Sequence, residues 1–208
     1  MGQFGWELTK EDAALGFARI VQIGWAISPA DLSTPVVVKS VLVKPASFTI
    51  SDRATDFHGI TNEFATQHGT PLAQALVALL TDVEEAYNRG GRLCAHQIEF
   101  DAGIILCELR RCGLDELATA WQRMAARGFC TMGSALGRWV LMSAGEQVQE
   151  NETARHFLGL KAISRTLKIP DCESLVAQHH DAGTDAKLTC LVYASVLQRA
   201  VAGQQGKQ

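Results

Sequence analysis

Arg19-Ile20-Val21-Gln22-Ile23-Gly24-Trp25-Ala26-Ile27 is an apolar, β-branched run with no helical period, and its reading decides the fold. Val36 to Val43 repeats that chemistry. Ser28-Pro29-Ala30 through Thr34-Pro35 supplies loop residues between the two runs, which predicts a β-hairpin. Lys44-Pro45 ends the second strand, and Phe48-Thr49-Ile50 reads as a short extension of it.

Beyond the hairpin the period changes. Pro71 to Asn88 carries Leu72, Leu76, Leu79, Leu80 and Val83 at helical spacing, with Pro71 suited to a first turn and Gly90-Gly91 breaking the pattern. Leu93-Cys94-Ala95 predicts a short buried strand. Phe100 to Cys112 predicts a helix with Ile105, Leu106 and Leu109 on one face, Glu108 and Arg111 pointing away from it, and Gly113 closing it. Asp115 to Arg127 reads as another helix, followed by the short apolar Gly128-Phe129-Cys130-Thr131. Ala144 to Asn151 is polar and reads as an exposed loop. Leu160 to Ile169 is helical up to Pro170. Asp181 to Val201 is a final helix with Leu188, Leu191, Val192 and Val196 inward. Early strands followed by interleaved helices and short strands predict an α/β fold, a mixed central β-sheet flanked by helices. The expectation is one domain over residues 1–202 and a disordered tail over 203–208.

The chain has 208 residues, 47% hydrophobic and 20% charged, as in globular domains. A net charge of −3 provides no strong overall field toward nucleic acid and argues against nonspecific coating of a duplex. Cys94, Cys107, Cys112, Cys130, Cys172 and Cys190 include no Cys-x-x-Cys pair and no zinc-finger spacing, so they read as buried thiols in a reducing compartment. Met1 to Trp6 lacks a positive n-region and an apolar h-region, and no apolar run approaches a membrane span. The expected location is intracellular, cytoplasmic or nuclear, with no membrane partner.

Two segments carry the chemistry. His96-Gln97-Ile98-Glu99-Phe100-Asp101 and His180-Asp181-Ala182-Gly183-Thr184-Asp185 each put a carboxylate at the start of a predicted helix. Carboxylates from separate segments, with one histidine, suit a site that holds hard divalent ions and activates a water. The pattern points to metal-dependent hydrolysis of a phosphodiester. A helix-start carboxylate also serves as a cap or dipole partner, so position alone does not separate the readings. Five helical residues turn about 140°, so His180 and Asp185 converge only if His180 sits on the approaching loop. His179 competes for its role, and spacing favours His180.

At these residues the chain resembles the DEDDh 3′–5′ exonucleases, the ribonuclease H-like superfamily of polymerase proofreading subunits and ribonuclease T. Ala95 to Asp101 resembles the second acidic motif, with Gln97 where the family usually has Asn. His180 to Asp185 resembles the third, which holds the histidine base and the last metal-binding Asp. Arg19 to Gly24 is similar to the strand after the first motif, and His58-Gly59-Ile60-Thr61 to a loop bordering the substrate's 3′ end. Phe129-Cys130-Thr131-Met132 is also like the family. The similarity runs from about Phe4 to about Leu197.

The first motif departs from the pattern Phe-Asp-x-Glu-x-Thr. Phe4-Gly5-Trp6-Glu7-Leu8-Thr9 keeps Glu7 and has Gly5 in place of the first Asp. The resemblance implies hydrolysis at 3′ ends of single-stranded nucleic acid, weakened by Gly5. It implies Glu7, Asp101 and Asp185 as ligands for Mg²⁺ or Mn²⁺, two ions in the family and as few as one here, with His180 as the base. His58, Ile60, Thr61, His96 and Phe100 are the implied substrate contacts, although Phe100 also fits a core position. Lys161, Arg165 and Lys168 read as phosphate contacts or as a solvated helix face. The alternative is a catalytically degenerate fold that binds nucleic acid or protein.

Overall fold

The computed structural model describes residues 19–143, 158–177 and 181–205. The predicted hairpin is present. β1 (Gln22–Ile27) pairs antiparallel with β2 (Val37–Leu42), in the register Gln22↔Leu42 to Ile27↔Val37. Side chains alternate across β1 with period two. Ile23 and Trp25 are buried in the main core with Leu76, Leu80, Leu106 and Trp121. Gln22 and Gly24 point the other way, at the final helix.

After the hairpin come α1 (Asp52–His58), α2 (Asn62–His68) and α3 (Leu72–Asn88). Phe48 to Ile50 is not a strand. That stretch descends instead toward Ser51, whose hydroxyl accepts from the Ala54 N–H and caps α1. β3 (Cys94–Ala95) and α4 (Ile98–Arg111) follow, then α5 (Asp115–Ala125) and β4 (Phe129–Cys130). β3 and β4 pair in parallel. α6 (Ser134–Ser143), α7 (Leu160–Thr166), α8 (Cys172–Ala177) and the long α9 (Ala182–Gln205) complete the described chain. α9 continues past Gly203, where the sequence predicts a tail; the polar stretch 144–151 lies outside the described residues.

The expected mix of helices and strands is present, while a single central sheet is not seen among the described residues. Among the described residues there are two two-stranded sheets, β1-β2 and β3-β4. Helices α3, α4 and α5 pack on one side through Leu76, Leu80, Leu106 and Trp121. α9 lies on the other side of both sheets. At one end a Cβ on Gly24 would overlap the Ala182 carbonyl group, so only a bare backbone lets the helix approach β1. At the other end the Tyr193 ring lies 4.8 Å from that of Phe129. A second core, with Val140, Ile163, Leu167, Leu188 and Val192, ties α6 and α7 to α9.

Glu108 corrects the expected polarity of α4. Its side chain is fully buried, not turned outward. Oε1 accepts from Arg19 Nε at 2.8 Å and from the Ile20 N–H at 3.4 Å, and lies 3.1 Å from Arg111 Nη1. A helical wheel assigns a charge to solvent, but two guanidinium groups here bring the counter-charge inward. Of the six cysteines Cys107 and Cys172 are buried and the other four are half-buried. No helix among the described residues is long and apolar enough to cross a membrane.

Candidate active site

Asp101 is brought to its place by the turn that leaves β3. Gln97, the cap of α4, sits at φ 79° and ψ 53°. That left-handed conformation costs most L-residues about 1–2 kcal/mol and is easiest for Gly and Asn. An Asn at position 97 would hold the same turn at less backbone cost. The turn directs the first residues of α4 into a cavity of about 1670 Å³, which Phe100 and Asp101 line.

Asp185 comes from the first turns of α9. Asp181 caps this helix by accepting from the Thr184 N–H at 2.9 Å. Gln22 of β1 clamps the same end: its Nε2 donates to Asp181 Oδ2 at 2.7 Å, and its Oε1 accepts from the Ala182 N–H at 3.2 Å. Burial pushes the Asp181 carboxyl up, but the hydrogen bonds from Thr184, Gln22 and Gly183 outweigh it, and the pKa lies below the ordinary value. The clamp thus locks a charged cap against the hairpin. It holds the helix whose Asp185 lines the same cavity as Asp101.

Of the other expected contacts, His58, Ile60, His96 and Phe100 line this cavity, while Thr61 does not. The Thr61 hydroxyl accepts from the Phe64 N–H and caps α2. Ile60 is mostly buried with Ile50 and Ala65, so it is largely a core residue. Phe100 is 51% exposed, which removes it from the core. His58 ends α1 and accepts the Ile60 N–H through Nδ1, and burial lowers its pKa. His96 Nδ1 lies 3.0 Å from Thr131 Oγ1, while Nε2 has no hydrogen-bond partner among the described residues. Burial lowers its pKa too. Arg165 is bound by Glu173 in a two-pronged ion pair, whereas Lys161 lines the cavity. Glu7 and His180 lie outside the described residues.

Sequence reasoning overlooks Phe57, which is 63% exposed and lines the cavity beside His58. An aromatic residue next to the His-Gly-Ile-Thr loop is the signal that marks it. Among the described residues no three His, Cys, Asp or Glu side chains converge on one metal position.

Asp101 is an exposed residue on the cavity wall, yet the protein packed around its carboxyl desolvates it and pushes its pKa up to about 6. The folded protein therefore keeps a proton that the unfolded chain, with an ordinary value near 3.9, releases. Stability from this group is full below about 3.9 and is lost as pH rises through about 6. In thermal melts without divalent ions, wild type should gain on Asp101→Asn as pH falls from neutrality to about 5. A difference that stays flat across that range would show the carboxyl to be well solvated.

The family model described as Exonuclease matches residues 7–193, taking in the hairpin, Asp101 and Asp185. The chain belongs to the exonuclease family. Neither a curated relative nor a solved structure matches it. Membership of this family supports a nuclease domain acting on nucleic acid.

Proposed function

We propose that this exonuclease domain removes nucleotides from the 3′ ends of single-stranded nucleic acid, with Asp101, Asp185, Glu7 and His180 as its working residues. The observation that carries the reading is one cavity lined by two carboxylates from separate helices. Their oxygens fit Mg²⁺ or Mn²⁺, whose remaining positions water and substrate phosphate would fill. The desolvated Asp101 carboxyl, pushed up to about 6, is one that a divalent cation would keep ionised. Asp101, Asp185 and Glu7 would hold the ion. When bound, the ion supplies positive charge against the developing oxyanions. His180 takes a proton from the attacking water, work suited to an imidazole with a pKa near 6.5. Phe100, exposed and lining the cavity, offers an aromatic ring on which an unpaired terminal base can stack. His96 and His58 border that end of the cavity.

Gly5 favours a second reading, a fold that binds nucleic acid or protein without cutting. The test uses a 5′-labelled single-stranded oligonucleotide with Mn²⁺. The expected result is a ladder shortening from the 3′ end, stopped by chelator and strengthened by Gly5→Asp. Binding with no ladder in either Mg²⁺ or Mn²⁺, with or without Gly5→Asp, would establish the binding module instead.

A further inference from the structure

β2 is an edge strand. β1 lies on one side of it, and among the described residues no strand lies along Val37 to Val41 on the other. The ladder decides which backbone groups face out. The Val43 N–H donates to the Val21 carbonyl at 2.8 Å, so Val21 and Val43 form a hydrogen-bonded pair. Antiparallel pairs alternate, and Val41, Lys39 and Val37 therefore direct their N–H and C=O groups at β1. Those of Val38, Ser40 and Leu42 point outward. Leu42 is met there, since its carbonyl accepts from the Thr70 N–H at 2.8 Å. Val38 and Ser40 have no outward backbone partner among the described residues. Exposed strand edges are ordinarily guarded by a charge, a proline or a bulge. This one is unbroken from Val37 to Leu42 and shows β-branched side chains, with Val37 54% and Val38 39% exposed. Its one charge, Lys39, is drawn down to Asp82 of α3, with Nζ 2.6 Å from Oδ2.

We propose that β2 pairs with β2 of a second copy of this chain, about a two-fold axis at Val38. A strand that meets its own copy across such an axis runs antiparallel to it. With Val38 opposite Val38 of the partner subunit, Val36 meets Ser40 of the partner subunit, and each pair exchanges both backbone bonds. The same register sets Lys39 beside the apolar Val37 of the partner subunit, at the close spacing of a non-hydrogen-bonded pair. The neighbouring registers are poorer. An axis at Lys39 brings the two ammonium groups face to face. An axis at Ser40 needs the Leu42 carbonyl, which already accepts from Thr70. An axis at Val37 carries the pairing past Pro35, beyond the end of the strand. Valine on valine with the lysines held apart is a match that a second copy supplies by symmetry. The Val38 and Ser40 side chains lie against Gly183 at the start of α9, so the edge is backed from behind. The pairing requires no catalysis and is independent of the proposed function.

Sedimentation of the full chain in chelator-containing buffer tests it. Between about 1 and about 100 µM the mass should climb from 22.5 kDa toward twice that. Val38→Pro removes an outward N–H and no bond to β1, so it should hold the protein at one chain. If that variant does not fold, charge at the exposed Val37 decides. Val37→Lys meets Lys39 of the partner subunit on both sides of the axis and should weaken the dimer about tenfold, whereas Val37→Glu should strengthen it. A mass that stays at 22.5 kDa throughout would overturn the proposal. So would a dimer indifferent to these changes, whose seam lies elsewhere, or one weakened by both Val37 variants, which would put Val37 on Val37. Slow hydrogen exchange at the Val38 and Ser40 amides of the dilute monomer would also sink it, because the chain itself would then cover the edge. A dimer with no nuclease ladder would leave this inference standing and count only against the functional one.

Discussion

Asp101→Asn is expected to lower the Mn²⁺-dependent rate of 3′ shortening by at least about 10–100-fold, and Asp185→Asn by a similar factor. That is the range for losing even a group that supports a metal ligand, so it is a floor for losing a ligand. Asn preserves shape and removes only charge, and Asp101 lines the cavity rather than the packed core, so packing should not suffer. Thermal stability of the metal-free Asp101→Asn protein at neutral pH should equal or exceed wild type, since a desolvated charge is relieved. Activity loss without stability loss is what separates a metal ligand from a structural carboxylate. If both groups serve one ion, the double variant should lose little more than either single one. Full activity in either single variant would remove that residue from the site.

Glu108→Ala is expected to destabilise the domain by about 3 kcal/mol, the lower end of the range for breaking a buried ion pair. At this chain length that corresponds to a fall in Tm of about 6–12 °C. The carboxylate has no exposed surface, while its partners Arg19 and Arg111 keep 26% and 19% of theirs. Truncation leaves two partly buried cations without a counter-ion and releases the Ile20 N–H. It also unties the head of β1 from α4. Glu108→Gln should recover part of the loss, because an amide oxygen can still accept from Arg19 Nε. Melts of the three proteins decide it: a loss under about 1 kcal/mol for Glu108→Ala would mean that water readily fills the vacated space.

How far the sequence was legible depended on apolar contrast. The hairpin appears where β-branched runs predict it, and α3 where five apolar residues share a face. α1 and α2 escape periodicity because each has seven residues and together they bury only Ala65. Their signal lies in punctuation: Ser51 and Thr61 cap the starts, and Gly59 at φ 74° ends the first. Phe48 to Ile50 looks like a strand by composition, yet it feeds a cap. Asp101 and Asp185, which both line the cavity, each stand in a recognisable local pattern. The Gln22–Asp181 clamp does not, since its partners are brought together only by folding.

The bare contact at Gly24 has a mechanical consequence. With no side chain to act as a cushion, backbone rides on backbone where α9 begins, so the hairpin sets the position of the start of α9 and of Asp185 with it. A bulkier residue at Gly24 would shift the carboxylate from a distance, much as a shim moves a hinge. A search for substitutions that retune the proposed activity should therefore begin on the floor beneath the helix, before the residues proposed to meet the substrate.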